Sequence, residues 1–320
     1  MLTLGKWRGL QAASTPQGAF VILALDHRNN LRAMLRPGAA DTVTSDELVA
    51  FKRDVVAELA PLTSAVLLDP VYGVAQGIVS NALPGQTGLI ITLDETGYKG
   101  PSTDRLSEFL ADWSVEKIKR AGADGVKLLV YYHPDAPSAR RQEELVRRAA
   151  DDCARYDIAL YLELLAFSLD PKDKKLKPDE RPQVVIESAR RLSGTGITIL
   201  KAEFPHDYTA VPDTDKWLAA CKELTSASVV PWVLLSAAAP YDVFKRQVEI
   251  SAIAGASGVM VGRAAWQEAG ALTGQPRIDF LRVEGRRRMR ELGDILAAHA
   301  RPWSVTLQPP TVNDQWYRTY

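Results

Sequence analysis

AFVILALDHRNN, residues 19–30, holds the choice between two α/β architectures. Its first seven residues are all apolar, with no polar alternation. A strand buried on both faces, as in a parallel sheet covered by helices, reads this way. A doubly wound sheet that holds a dinucleotide places a G-x-G-x-x-G turn after its first strand. Here the chain continues Asp26-His27-Arg28-Asn29-Asn30, without that turn. Charged groups where a strand ends are instead what a closed barrel presents on its catalytic rim.

Seven more runs of the same kind follow: SAVLLD (64–69), GLIITL (88–93), DGVKLLVYY (124–132), ALYLELLAF (159–167), ITILKAEF (197–204), VPWVLLSA (230–237) and SGVMVGRA (257–264). Most intervals carry helical patterns. SDELVAFKRDVVAELA (45–60) opens on a serine cap and repeats apolar residues at helical spacing. Similar segments stand at about 104–121, 138–156, 182–193, 214–226 and 240–254, and 70–87 has room for one short helix. AGADGVK (121–127) and AGASGVM (254–260) each read as a helix ending on glycine before a strand, a faint echo of a half-barrel repeat. Eight strand-helix alternations predict a (β/α)8 TIM barrel. Its expected extent is one domain over 1–320, with a C-terminal helix at about 278–300 and an aromatic tail at 301–320. The charged stretch 171–181, PKDKKLKPDER, is expected as a solvated loop after the fifth strand.

Composition narrows the partners. The chain has 320 residues, 39 basic and 39 acidic, with a formal net charge of +0. Such a balance gives no field to draw nucleic acid or an anionic membrane. No apolar stretch reaches the 18 residues or so of a membrane span, and MLTLGKWRGL lacks the apolar core of a signal peptide. Cys153 and Cys221 lie in helical patterns, which suits buried thiols in a reducing compartment rather than a disulfide framework. The expected setting is cytoplasmic. Trp303, Trp316, Tyr317 and Tyr320 in the tail are expected to pack on the barrel or to join subunits, so a homo-oligomer is expected.

The rim carries the chemistry. The first strand ends in Asp26-His27-Arg28, the second in Asp69, and the third runs into Asp94-Glu95. The fourth contains Lys127 and leads to His133, and the fifth contains Glu163. The sixth contains Lys201 and Glu203, the seventh ends in Ser236 and the eighth in Arg263. Side chains alternate along a strand, so Asp26, Lys127, Glu163 and Lys201 can line one central cavity, and Glu203 should share the side of Lys201. A buried ammonium is costly unless paired. One explanation is an inert ion-pair network. The other is amine catalysis: a lysine among apolar groups and beside a second cation is held partly as the free amine, which attacks a ketone to form an iminium. Glu163 would then move protons, and the second lysine would stabilise alkoxide charge. On this reasoning either Lys201 or Lys127 can be the nucleophile. Ser236, Ala237, Gly262 and Arg263 stand where the loops after the seventh and eighth strands of such barrels bind phosphate. His27, His133 and His206 follow the first, fourth and sixth strands, but no close His-x-His or His-x-x-x-His spacing supports a metal.

Taken together, ALDHRNNLRAML, LLDPVYG, DETGY, DGVKLLVYY, YLELLAF, ILKAEFP, WVLLSAAAP and GASGVMVGRAAW resemble the class I tagatose 1,6-bisphosphate aldolase family, which includes the sulfofructosephosphate aldolases. These stretches span residues 24–266, about three quarters of the chain. The resemblance implies a (β/α)8 barrel, a Schiff-base lysine at Lys201, an acid/base glutamate at Glu163, a second lysine at Lys127, the catalytic aspartate and the arginine of the family's LDQR-like motif at Asp26 and Arg28, and an anion-binding serine and arginine at Ser236 and Arg263. It thereby selects Lys201 over Lys127 and implies no cofactor or metal. Glu203 and His27 are expected to contact the substrate as well. The implied substrate is a ketose (bis)phosphate such as tagatose 1,6-bisphosphate, cleaved to dihydroxyacetone phosphate and glyceraldehyde 3-phosphate. The alternatives are a sulfofructose phosphate giving sulfolactaldehyde, a metal-dependent aldolase, and a non-catalytic sugar-phosphate sensor. The family usually has Gln at His27 and Gly at Ala238. These departures, the loop 171–181 and the aromatic tail bear on the substrate more than on the chemistry.

Overall fold

The computed structural model describes residues 2–173, 175–318 and 320. Each of the eight apolar runs forms a strand: β1 Phe20–Leu25, β2 Ala65–Leu68, β3 Gly88–Thr92, β4 Gly125–Tyr131, β5 Ala159–Leu165, β6 Ile199–Ala202, β7 Trp232–Leu235 and β8 Gly258–Val261. All neighbours pair in parallel, and β1 closes on β8, so the sheet is a (β/α)8 barrel in sequence order. The strands are shorter than the runs because only the central residues of each run are paired, and residues at both ends belong to the connections.

Alternation splits the strands into two apolar sets. Ile22, Leu67, Ile90, Tyr161, Ile199, Val233 and Met260 fill the barrel interior. Val21, Leu23, Val66, Leu128, Leu162, Leu200 and Leu234 face the helical layer. That layer is built from α2 Asn29–Leu35, α3 Ser45–Leu59, α4 Val74–Val79, α5 Val115–Arg120, α6 Ala139–Arg155, α7 Arg181–Leu192, α8 Thr214–Ala227, α9 Tyr241–Ile253, α10 Arg263–Trp266, α11 Gln275–Phe280 and α12 Arg286–His299, whereas α1 Leu4–Ala13 lies at the end of the barrel. Thr44 and Glu47 form a reciprocal capping box on α3, so the cap is Thr44 rather than Ser45. The glycine stops before β4 and β8 are real: Gly122 and Gly255 have φ of 86° and 109°, the left-handed region that ends a helix. Cys153 and Cys221 are buried free thiols in α6 and α8.

Three regions differ from the sequence expectation. The helix expected over 104–121 shrinks to α5, and residues 94–109 form a flap closed by antiparallel bridges Asp94↔Phe109 and Lys99↔Leu106. Gly97 and Gly100, with φ of 82° and 84°, turn the chain into the flap, and Asp112, inside the expected helix, has a φ of 57°, which a right-handed helix does not allow. The helix expected at about 278–300 is in two parts, α11 and α12, joined by a π-helical turn at Leu281–Gly285. The N-terminus, read only for its lack of a signal, folds as α1 beneath the barrel. Leu10 and Ala13 of α1 and Trp303 of the tail plug that end of the interior. Trp7 meets Trp303 edge-on at 4.6 Å, and Trp303 Nε1 donates to Ser14 Oγ at 3.0 Å. Further along the tail Tyr317 and Tyr320 are exposed, and Gly5 N donates to Tyr320 Oη at 2.9 Å.

Candidate active site

At the C-terminal ends of the strands lies a cavity of about 780 Å³, counting its open mouth. Asp26, His27, Arg28, Lys127, Glu163, Lys201, Ser236, Ala237, Gly262 and Arg263 all line it, with Asp94, Glu95 and Tyr131. Pairing register explains the convergence. Glu163 is opposite Lys201 across β5 and β6, and Leu129, two residues beyond Lys127, is opposite Glu163 across β4 and β5. The stagger of a tilted barrel therefore brings three charged side chains from neighbouring strands to one level.

The two lysines are held differently. Lys127 Nζ lies 2.7 Å from Asp26 Oδ2, 3.0 Å from Glu163 Oε2 and 3.2 Å from Asp94 Oδ1. Burial works against this ammonium, but the three carboxylates outweigh it and hold its pKa well above the ordinary lysine value. Lys201 Nζ touches one carboxylate, the same Glu163 Oε2, at 2.9 Å. Burial alone would raise Glu163 and Asp26, yet Lys127 and Lys201 hold both carboxyls below the ordinary range. The resting site thus has a permanent cation at Lys127, ionised Asp26 and Glu163, and a second amine that shares its single carboxylate.

Opposite this cluster is a cradle with an unspent cation. Gly262 N donates to Ser236 Oγ at 3.2 Å, which fixes the β7 exit against the β8 exit. Beside them the side chain of Arg263 makes no hydrogen bond or ion pair among the described residues. Ala237 and Ala238 have φ of 44° and 58°, two successive left-handed residues without the freedom of glycine. His27 stands edge-on to Trp266, and its enclosed Nδ1 has no partner. Burial pushes the imidazole down to about 3, with Arg263, Lys52 and Lys201 adding to the fall against Asp26. Arg28 is already engaged: its guanidinium donates to Asp94 O at 2.6 Å and lies 3.6 Å from Glu95.

Comparison with known proteins shows the family of the chain. The model of the DeoC/LacD family aldolases matches residues 20–268. The chain belongs to the DeoC/LacD family of aldolases. It is an enzyme, a carbon–carbon lyase. The curated tagatose 1,6-diphosphate aldolase 2 of Enterococcus faecalis is 31% identical, over 96% of this chain and 98% of its own. Tagatose 1,6-diphosphate aldolase 1 of Streptococcus pyogenes is also 31% identical, over 90% and 94%. Among solved structures, a Schiff-base-forming fructose-1,6-bisphosphate aldolase superposes with a TM-score of 0.60 at 21% identity, covering 91% of this chain and 99% of its own. An archaeal fructose 1,6-bisphosphate aldolase gives a TM-score of 0.60 at 22% identity, over 92% and 99%. At that identity the structural likeness speaks for the barrel alone.

Two features of this aldolase differ from the sequence reading. Glu203 does not line the cavity: β6 ends at Ala202, and past it strand alternation no longer governs direction. Its carboxylate instead accepts from Ala166 N at 2.7 Å and pairs with Arg181 at 3.0 Å, tying β5 to the start of α7. Asp94, at the exit of β3, is a cavity residue that the sequence reading does not single out. It receives Thr92 Oγ1 and Leu129 N at 2.6 and 2.8 Å and faces Lys127 and Arg28. Its signal was DETGY directly after the third strand. Asp69, another strand-end acid, faces outward to a buried ion pair with Lys52 of α3, which also donates to Leu25 O at 2.6 Å. Among the described residues, no group of three His, Cys, Asp or Glu has the geometry to hold a metal.

Proposed function

We propose that this aldolase is of the class I, Schiff-base type, with Lys201 as nucleophile. Its substrate on this reading is a ketose 1,6-bisphosphate, tagatose 1,6-bisphosphate in the first instance, cleaved reversibly to dihydroxyacetone phosphate and glyceraldehyde 3-phosphate. The observation that carries the choice of lysine is the unequal pairing: three carboxylates keep Lys127 an ammonium, whereas Lys201 shares one. An ammonium pinned by three carboxylates has no lone pair to offer.

The ionised Glu163, 2.9 Å from Lys201 Nζ, is placed to take the amine's proton. The free amine adds to the C2 carbonyl, and Glu163 returns the proton to the new oxyanion. A second transfer moves a proton from nitrogen to that hydroxyl, water leaves, and an iminium remains. The positive charge of the ammonium is now on the iminium, and Glu163 is again a carboxylate. It then accepts the C4 hydroxyl proton. The C3–C4 bond breaks, its electron pair flows into the iminium to give an enamine, and the aldehyde departs. Lys127, fixed by Asp26 and Asp94, stabilises oxyanion charge as it develops. Ser236, Gly262 and Arg263 are positioned for the 1-phosphate. The resemblance of the rim motifs and the names of the curated relatives support the bisphosphate.

Borohydride added with dihydroxyacetone phosphate should fix the ketone on Lys201, seen by intact mass and peptide mapping. Absence of an adduct, or an adduct on Lys127, overturns the assignment.

A further inference from the structure

The flap at 94–109 holds a cation that the chemistry above does not use. Arg105 is half-buried, and its Nε donates to Ser102 O at 2.9 Å. Its guanidinium carbon lies 4.7 Å from the Tyr98 ring centroid, 5.3 Å from Phe167 and 5.4 Å from Tyr131. No carboxylate pairs with it, and its two Nη groups make no hydrogen bond, among the described residues. Arg28, Lys127 and Lys201 on the rim each face a carboxylate, whereas Arg105, like Arg263, has no ion pair among the described residues. Aromatic faces attract a guanidinium without neutralising it, so its N–H edge stays free for a phosphate or sulfonate.

The flap is fixed rather than loose at this point. Ser107 Oγ accepts from Tyr131 N at 3.0 Å, and Asp104 Oδ1 accepts from Ser138 N at 2.9 Å. Tyr131, one wall of the box, also lines the cavity, so Arg105 is one ring away from the substrate space. Its place around the barrel is informative. Strands run in sequence order around a closed ring of eight, so β4, which carries Tyr131, is diametrically opposite β8, which carries the Gly262–Arg263 cradle. β6, with Lys201, is midway between them. A ketose 1,6-bisphosphate has its reacting C2 next to the C1 anion and its second anion four carbons further on. With the C1 anion at β7 and β8 and C2 at Lys201, the far end of the chain runs toward β4.

We infer that Arg105 in its aromatic box is the recognition residue for the distal anion of the substrate, the phosphate or sulfonate carried by the aldehyde half. This rests on the Schiff-base reading above. The test is Arg105→Gln and Arg105→Lys, assayed in the full-length enzyme on three substrates: a ketose 1,6-bisphosphate, the same ketose as its 1-phosphate, and a 6-sulfo ketose 1-phosphate. Arg105→Gln should lower kcat/KM by about 10- to 100-fold wherever a distal anion is present, mainly through KM, which is the worth of a charge-assisted hydrogen bond. The 1-phosphate substrate should change less than about twofold, and Arg105→Lys should recover part of the loss. A loss with the phosphate only, or the sulfonate only, supports recognition and names the anion. An equal loss on all three substrates makes the box purely structural and overturns the inference, as does no loss with either distal anion. Borohydride trapping of dihydroxyacetone phosphate, which has no distal anion, should be unchanged in Arg105→Gln. If trapping fails in the wild type as well, the Schiff-base reading has failed rather than this one.

Discussion

Glu163 Oε2 is an atom that two ammonium groups share, at 2.9 and 3.0 Å, and the division of labour between the lysines turns on it. Replacing the carboxylate by an amide keeps the shape and most hydrogen bonds but removes the proton carrier. Glu163→Gln should therefore keep its fold, by far-UV circular dichroism, and lose about 10²–10⁴ in turnover, the usual share of a general acid/base. Wild-type turnover in that variant would remove Glu163 from the mechanism. Because Lys127 and Lys201 hold Glu163 below the ordinary carboxylate range, it is ionised at neutral pH, the state in which the proposed mechanism needs it as the starting base. At the same scale Asp94 is easily underrated: it contacts Lys127, Arg28 and the backbone of β4, so it fixes the cation on which both carboxylates depend.

Among the elements, the β7–α9 connection is the most strained part of the rim. Ala237 and Ala238 both occupy the left-handed region, where a Cβ crowds the backbone at a cost of roughly 1–2 kcal/mol per residue. Glycine removes that cost but gives back part of it through the greater freedom of the unfolded chain. Ala238→Gly should stabilise the protein by about 0.5–1 kcal/mol, whereas Ala238→Val should destabilise it, because a β-branched side chain is worse still at positive φ. Urea unfolding of the two variants reads the difference, and equal or reversed shifts would mean that the loop is not strained. The other rim exit is supported from outside the barrel. Arg288 of α12 donates to Ala264 O at 3.1 Å, beside Arg263, and pairs with Glu268 at 2.8 Å. The appended C-terminal helix thus braces the β8 exit beside Arg263.

For the whole molecule, the buried charges make stability depend on pH in a predictable direction. His27 is pushed down to about 3 from an ordinary 6.5. Below pH 6.5 the unfolded chain takes up a proton that the folded ring refuses, so stability falls as the pH drops from 6.5 toward 3. At about 1.4 kcal/mol per pH unit, this residue alone removes roughly 2 kcal/mol by pH 5. Asp26 and Glu163 are depressed carboxylates, and their contribution is lost only below about pH 4.5, so they add little between 6.5 and 5. Burial lowers the half-buried His206 as well, so the comparison of two proteins is the clean reading. In His27→Gln the stability lost between pH 7 and pH 5, measured by urea unfolding, should be smaller by about 1–2 kcal/mol. An unchanged loss would show that His27 is not held neutral.

The sequence by itself determined the barrel: eight apolar runs, the helical patterns between them, and polar residues at the strand exits. These are properties of consecutive residues, set by side-chain periodicity and backbone freedom, and they survive without knowing what packs where. It also brought Asp26, Lys127, Glu163 and Lys201 to one cavity, because alternation from a known strand end is a local rule. Tertiary structure decided what depends on distances across strands. Only the closure and stagger of the whole barrel set Asp26 after β1, Asp94 after β3 and Glu163 of β5 around Lys127, and one carboxylate beside Lys201. The same holds for Glu203, which leaves the cavity once pairing ends at Ala202, and for residues 104–114, whose spacing reads as the start of a helix but which fold into the flap through the bridges Lys99↔Leu106 and Asp94↔Phe109. Coulomb energy falls with distance and rises with burial, and neither quantity is written in the order of the residues.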